Sequence, residues 1–117
     1  MIELQLGVIE ARFADMIWER EPVTSSELVK LAAEAFSWKI TTTHTVLKRL
    51  CNKGLYENNK GTVTSLISRA QFDSLQSRKF VEETFDGSLP AFIAAFTRDN
   101  ALTPEEADKI RAIIDQA

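Results

Sequence analysis

The sequence predicts a mainly α protein with a small β-wing, and three observations carry that prediction. Apolar residues recur at three- and four-residue spacing through most of the 117 residues, the pattern of helices that bury one face. Only after Gly54 does the period shorten, around Asn59-Lys60-Gly61, as in a β-hairpin. Hydroxyl residues also stand three positions before a Glu or Gln at Thr24, Ser68 and Thr103, the signature of helix N-termini.

Taking the chain in order, residues 6–19 place Leu6, Ile9, Phe13, Met16 and Ile17 on one face, with Trp18 beside it, as in an amphipathic helix. Glu21-Pro22 stops this helix, because the residue before a proline is pushed out of the helical region. Thr24 or Ser25 opens the next, with Glu27 close enough to complete a capping box. Leu28, Val29, Leu31, Ala32 and Ala35 supply its buried side. A short connection, Phe36 to Ile40, leads into a third helix that ends at Gly54, placed as a C-cap.

That third segment, Trp38 to Gly54, is the most informative. Thr43, Val46, Leu47 and Leu50 form one stripe for burial, which leaves Thr41, Thr42, His44, Thr45, Lys48 and Arg49 on the other face. Threonines near a helix start lower its propensity without adding packing. Short hydroxyls in front and cations behind suit a helix whose first turns meet base edges while its rear meets phosphates. Taken alone, the same residues also fit an ordinary surface helix with scattered Lys and Arg. Two short helices joined by a tight turn, the second basic on its outer face, are nonetheless the helix-turn-helix pattern. The strands Leu55 to Asn58 and Thr62 to Leu66 that follow read as a wing.

Ser68 then caps a helix carrying Phe72, Leu75, Phe80, Val81 and Phe85 to a stop at Asp86-Gly87. Ser88 opens a segment that is apolar nearly all round, and Thr103-Pro104-Glu105-Glu106 is a capping box with Pro at the first helical position. Ala107, Ile110, Ile113 and Ile114 are expected inside the last helix. About fifty residues are too few to bury this much Phe and Ile alone. Packing against a second copy is one outcome, and folding back on the N-terminal helices is the other. The expected organisation is a winged helix-turn-helix DNA-binding domain over 1–67 and a helical dimerisation region over 68–117.

Composition sets the class. With 44% hydrophobic and 26% charged residues, the chain is an ordinary globular protein. No apolar run approaches the roughly 20 residues that span a bilayer and no leader precedes the first helix, so no membrane role and a cytoplasmic location are expected. Cys51 is the lone cysteine, which excludes an internal disulfide. The net charge of −3 conceals a gradient: residues 38–60 hold five cations against Glu57 alone, while 68–117 hold six cations against nine acids. A local positive patch can bind phosphate, and an acidic remainder limits indiscriminate binding.

No constellation for catalysis is present. His44 and Cys51, the only residues of their types, are seven positions apart on one helix, about 10 Å along its axis. They cannot share a metal or act as nucleophile and base. Glu82-Glu83 and Glu105-Glu106 occupy consecutive helical positions and point in different directions. No enzyme activity, metal or cofactor is expected.

The residues resemble the penicillinase and methicillin-resistance repressors, the BlaI/MecI/CopY group, in three blocks over nearly the whole length. The first is Leu6, Glu10, Met16-Ile17-Trp18-Glu19, Pro22-Val23-Thr24 and Glu27-Leu28-Val29; the second is Trp38, Thr42, Thr45, Leu47, Arg49-Leu50 and Lys53-Gly54. The third runs from Ser77-Arg78-Lys79-Phe80-Val81 through Phe85-Asp86-Gly87-Ser88-Leu89, Ala91-Phe92-Ile93 and Phe96 to Leu102-Thr103, Glu105-Glu106, Ile110-Arg111 and Ile113. The resemblance implies a homodimeric winged-helix repressor on a palindromic operator, with Thr42 and Thr45 touching DNA and Arg49 touching phosphate. Thr41 and His44 stand where family members often have Lys or Arg, which removes the bidentate guanine contact available to Arg. It also implies inactivation by a regulatory protease, with Ala95-Phe96 at the equivalent bond. The chain ends without the cysteine-rich metal box of copper-responsive relatives, so direct copper sensing is not expected.

The site expectations follow. Thr41, Thr42, His44 and Thr45 are candidate base readers; Thr24, Ser25, Lys39, Lys48, Arg49, Lys53 and Lys60 are candidate phosphate contacts. Phe80, Phe85, Leu89, Phe92, Ile93, Phe96, Ile110, Ile113 and Ile114 are the candidate dimer contacts. The expected partners are a double-stranded DNA operator, a second copy and a regulatory protease. A different reading remains open: a winged-helix module that binds another protein and no DNA.

Overall fold

A computed structural model describes residues 2–117. In chain order it contains α1 (Val8–Arg20), β1 (Val23–Thr24), α2 (Ser25–Phe36), α3 (Ile40–Asn52), β2 (Tyr56–Asn59), β3 (Thr62–Ser65), α4 (Arg69–Phe85), α5 (Leu89–Thr97) and α6 (Pro104–Gln116). The chain forms two compact units, one ending at Gln76 and one spanning Ser77–Ala117, so α4 begins in the first and ends in the second. Among the described residues no helix is long and apolar enough to cross a membrane.

The first unit is a winged helix-turn-helix. Phe13, Ala14 and Ile17 of α1, Leu28 and Ala32 of α2, and Val46, Leu47 and Leu50 of α3 meet in one core, closed by Leu55, Tyr56 and Val63 from the wing. The four α3 positions expected inside, including Thr43, are all buried. Two rings brace the core's edges. Trp38 lies between Phe13 and Phe36, at 5.2 and 4.9 Å, and Trp18 lies 5.3 Å from both Tyr56 and Phe72. The Trp18 indole donates to the Ile67 carbonyl at 3.0 Å, which gives its one polar atom a partner.

Local chemistry fixes where the elements end. Thr24 caps α2 by accepting the Glu27 N–H at 3.1 Å, and its hydroxyl donates to Glu27 Oε1 at 3.1 Å. The α3 helix closes in a Schellman motif: Gly54 adopts φ 85°, its N–H bonds Cys51 O, and the Leu55 N–H bonds Leu50 O. Leu50 and Leu55, both fully buried, supply the apolar contact of that motif. The β2–β3 turn is the two residues Lys60-Gly61, with φ 53° and 93°, a type I′ geometry matched to strand twist.

Several features of the first unit differ from the sequence expectation. The first helix starts at Val8, two residues later than expected, because Gly7 is its extended N-cap and Glu10 Oε1 accepts the Gly7 N–H at 3.3 Å. Leu6 therefore packs from an extended lead segment, and Ile9, expected inside, is 44% exposed. The wing is part of a three-stranded antiparallel sheet, ordered β1-β3-β2, instead of a two-stranded hairpin. Val23 pairs with Val63 and Thr24 with Thr62, so the entry to α2 supplies the third strand.

In the second unit, Ser88 caps α5 by accepting the Ala91 N–H, and Thr103 and Glu106 form a reciprocal capping box on α6. Phe80, Phe85 and Phe92 form a triangle of rings 5.5–6.0 Å apart, with Phe96 6.1 Å from Phe92. Even so, none of residues 77–117 is fully buried. Ile113 and Ile114, expected inside α6, are 67% and 64% exposed.

Candidate nucleic-acid interface

The outward face of α3 is built by the burial of its other side. With Thr43, Val46, Leu47 and Leu50 committed to the core, Thr41, Thr42, His44, Thr45, Lys48 and Arg49 are all exposed. Threonine is tolerated here partly because two hydroxyls bond back to the helix. Thr43 Oγ1 donates to Lys39 O at 3.3 Å and Thr45 Oγ1 to Thr41 O at 2.9 Å. Thr45 thus presents a methyl and acceptor lone pairs outward, whereas the Thr41 and Thr42 hydroxyls have no partner among the described residues. The segment from 35 to 56 contains no Asp or Glu. Lys39 is the exposed N-cap of α3, without a side-chain capping bond.

The other phosphate candidates divide into two groups. Thr24, Ser25 and Lys60 come together beside the wing turn, where the Ser25 N–H donates to Gly61 O at 2.8 Å. The Thr24 hydroxyl and the Ser25 amide are both used inside the protein, Ser25 is half-buried beside Gly61, and Lys60 is exposed. At the back of α3, Lys48 is exposed and Arg49 has a side chain 56% exposed, whereas that of Lys53 is only 14% exposed.

Lys53 is held by a residue that sequence reasoning did not single out for this face. Its Nζ lies 2.7 Å from Glu10 Oε1 and also donates to Gln5 O at 2.9 Å. Glu10 Oε2 lies 3.7 Å from Arg49 Nη1. Burial pushes the Glu10 pKa up, but the Lys53 hydrogen bond, the Gly7 N–H and the charges of Lys53 and Arg49 outweigh it, and the net shift is downward. The pairing spans 43 positions, and the only local sign of it is Glu10 in the first turn of α1.

His44 and Cys51 line one surface cavity of about 360 Å³ with Leu47, Lys48 and Asn58. Burial pushes the Cys51 thiol pKa up, against a smaller opposite effect of a hydrogen bond with the Asn58 backbone. That environment suits a packing residue better than a reactive one. Among the described residues no group of three His, Cys, Asp or Glu side chains is placed to hold a metal.

A helix-turn-helix with an acid-free outer face on its second helix, followed by a short wing, now has a match along its length. A family model described as penicillinase repressor covers residues 6–116. The chain belongs to the penicillinase repressor family. It is 24% identical to the penicillinase repressor of Bacillus licheniformis over 116 residues, covering 96% of this chain and 91% of that relative. Identity is 19% to the methicillin resistance regulatory protein MecI of Staphylococcus aureus (strain Mu50 / ATCC 700699) and 18% to that of Mammaliicoccus sciuri, each over 96% of this chain and 94% of the relative. The penicillinase repressor family is one of regulators, not enzymes.

The remaining candidates lie in the second unit of this family member. Phe80, Leu89, Ile93, Phe96, Ile113 and Ile114 are exposed, while Phe85, Phe92 and Ile110 are partly covered. Ala95 and Phe96 sit within α5, both exposed.

Proposed function

We propose that the protein is a homodimeric, sequence-specific DNA-binding repressor that occupies a palindromic operator through α3. The carrying observation is the α3 face itself: Thr41, Thr42, His44 and Thr45 stand exposed in its first turns with Lys48 behind them, and no carboxylate occurs from 35 to 56. A helix of 13 residues is about 20 Å long, enough to lie along a major groove with its front at base edges. Thr42 and Thr45 read bases; Lys39, Lys48, Arg49 and Lys60 contact phosphate. The geometry of Lys53 favours a structural role for it.

Dimerisation is assigned to the second unit. An array of helices with no fully buried residue and six large apolar side chains more than a third exposed lacks a core of its own, and a second copy supplies one. Relief of repression is assigned to cleavage at Ala95-Phe96 by a regulatory protease. The exposure of both residues supports that assignment.

Selection from a random duplex pool with the purified protein, followed by titration of the winners at two salt concentrations, tests the reading. Recovery of an inverted repeat with half-sites about 10 bp apart, bound by two chains, is the expected result. Recovery of nothing above background, together with capture of a partner protein through residues 68–117, would replace it with the interaction-module reading.

A further inference from the structure

We infer that Glu10 is a positioning residue that sets how strongly the DNA-binding face holds phosphate: it occupies Lys53 and restrains Arg49, so that sequence-independent affinity stays low. This rests on the reading of α3 as the DNA-contacting helix. Residues 35–56 carry four cations, Lys39, Lys48, Arg49 and Lys53. Two of the four face one carboxylate. Glu10 belongs to α1, its side chain is 10% exposed, and its Oε1 receives Lys53 Nζ at 2.7 Å and the Gly7 N–H at 3.3 Å. Lys53 Nζ spends a second donor on Gln5 O, which holds it away from an approaching phosphate.

Arg49 is held differently. At 3.7 Å from Glu10 Oε2 its Nη1 is beyond a hydrogen bond but within strong attraction, and its side chain is 56% exposed. It stays reachable, and any phosphate that engages it must compete with Glu10 for it. Thr42 and Thr45 lie seven and four positions earlier on α3, about 10 and 6 Å along the axis, so base reading does not depend on the same carboxylate. Glu10 thereby weakens binding to every sequence alike and leaves discrimination between sequences to the front of the helix.

The test uses full-length Glu10→Gln, a near-isosteric loss of charge, titrated with salt on the selected operator and on a random duplex. Affinity for both duplexes rises by a similar factor, the log–log salt slope steepens by up to about 0.9 for each cation released, and the operator-to-random ratio is unchanged. The change in slope shrinks when Glu10→Gln is made in an Arg49→Gln background, because it acts through Arg49. A second comparison does not need the Glu10 variant to fold. On random duplex, Lys48→Gln flattens the slope by about 0.9, while Arg49→Gln flattens it by clearly less. An unchanged slope in Glu10→Gln, a parallel loss of both affinities, or equal flattening by Lys48→Gln and Arg49→Gln overturns the inference while leaving the repressor reading intact. A wild-type protein that binds neither duplex overturns both.

Discussion

The Tyr56 hydroxyl donates to the Ala14 carbonyl at 2.6 Å, tying the first residue of the wing to the middle of α1 inside the core. Tyr56 is 1% exposed and Ala14 is fully buried, so water cannot replace that bond. Tyr56→Phe keeps the ring packing against Trp18 and removes only the hydroxyl. A loss of about 1 kcal/mol is expected in urea denaturation, the net worth of one internal hydrogen bond.

The same hydroxyl makes an alkaline prediction. Burial first, and then the charges of Glu21 and Cys51, push the Tyr56 pKa well up from its ordinary value. The folded state therefore holds its phenolic proton where the unfolded chain has lost it. The stability from this group is complete below about pH 10 and falls as pH rises beyond it. Tyr56 is the only tyrosine, so tyrosinate absorbance reports it alone. That absorbance should appear together with loss of helical circular dichroism, and its appearance in the folded protein would show an accessible hydroxyl.

At acid pH the Glu10 and Lys53 pair takes over. The Glu10 pKa is lowered in the folded protein, so its contribution is present above about pH 4.3 and is lost as pH falls through the folded value. Lys53→Met leaves Glu10 with Arg49 and the Gly7 N–H. The expected cost is about 1–3 kcal/mol, less than the roughly 3–5 of a fully buried pair broken on one side. Denaturation of wild type and variant at neutral pH and below about pH 4 checks this: the difference narrows as the pH falls through the folded Glu10 value.

On the proposed reading of α3, base reading and phosphate holding separate by residue. Thr42→Ala and Thr45→Ala are expected to reduce the operator-to-random ratio, by about 1–3 kcal/mol for a base contact that is lost. Lys48→Ala weakens binding to all sequences and flattens the salt slope by about 0.9. Equal losses on operator and random DNA for all three would contradict the division.

A charge in the apolar second unit tests the proposed dimer. Ile113→Asp and Ile114→Asp sit on α6 at positions two-thirds exposed in the single chain, so they should leave the first unit folded. Sedimentation is expected to show a monomer, and operator affinity to fall about 10²- to 10⁴-fold as the two half-sites lose their linkage. A dimer that survives both substitutions would move the contact elsewhere.

What the sequence could reveal depended on whether the cause was local. The α3 stripe was legible because Thr43, Val46, Leu47 and Leu50 repeat at helical spacing, and the caps at Thr24, Ser68, Ser88 and Thr103 because their partners are three residues away. Strand β1 was not legible, since two residues carry no period and Val23 finds its partner 40 positions later at Val63. Lys53 and Lys48 look alike in sequence; only the packing of α1 against α3 gives one of them a carboxylate. Ile9 fits the α1 stripe by spacing, yet the core begins one turn later at Phe13.

The Lys60-Gly61 turn has a consequence for engineering. Four-residue strands give a wing about 13 Å long, closed by the minimum number of residues, with Gly61 in a conformation that L side chains rarely adopt. Its reach can be extended only by lengthening the strands, and pairwise insertion on each side keeps every existing side chain on its own face, whereas a single insertion inverts them. The wing is thus a ruler graduated in steps of two residues, onto which new groove contacts can be grafted while the first helices stay as they are.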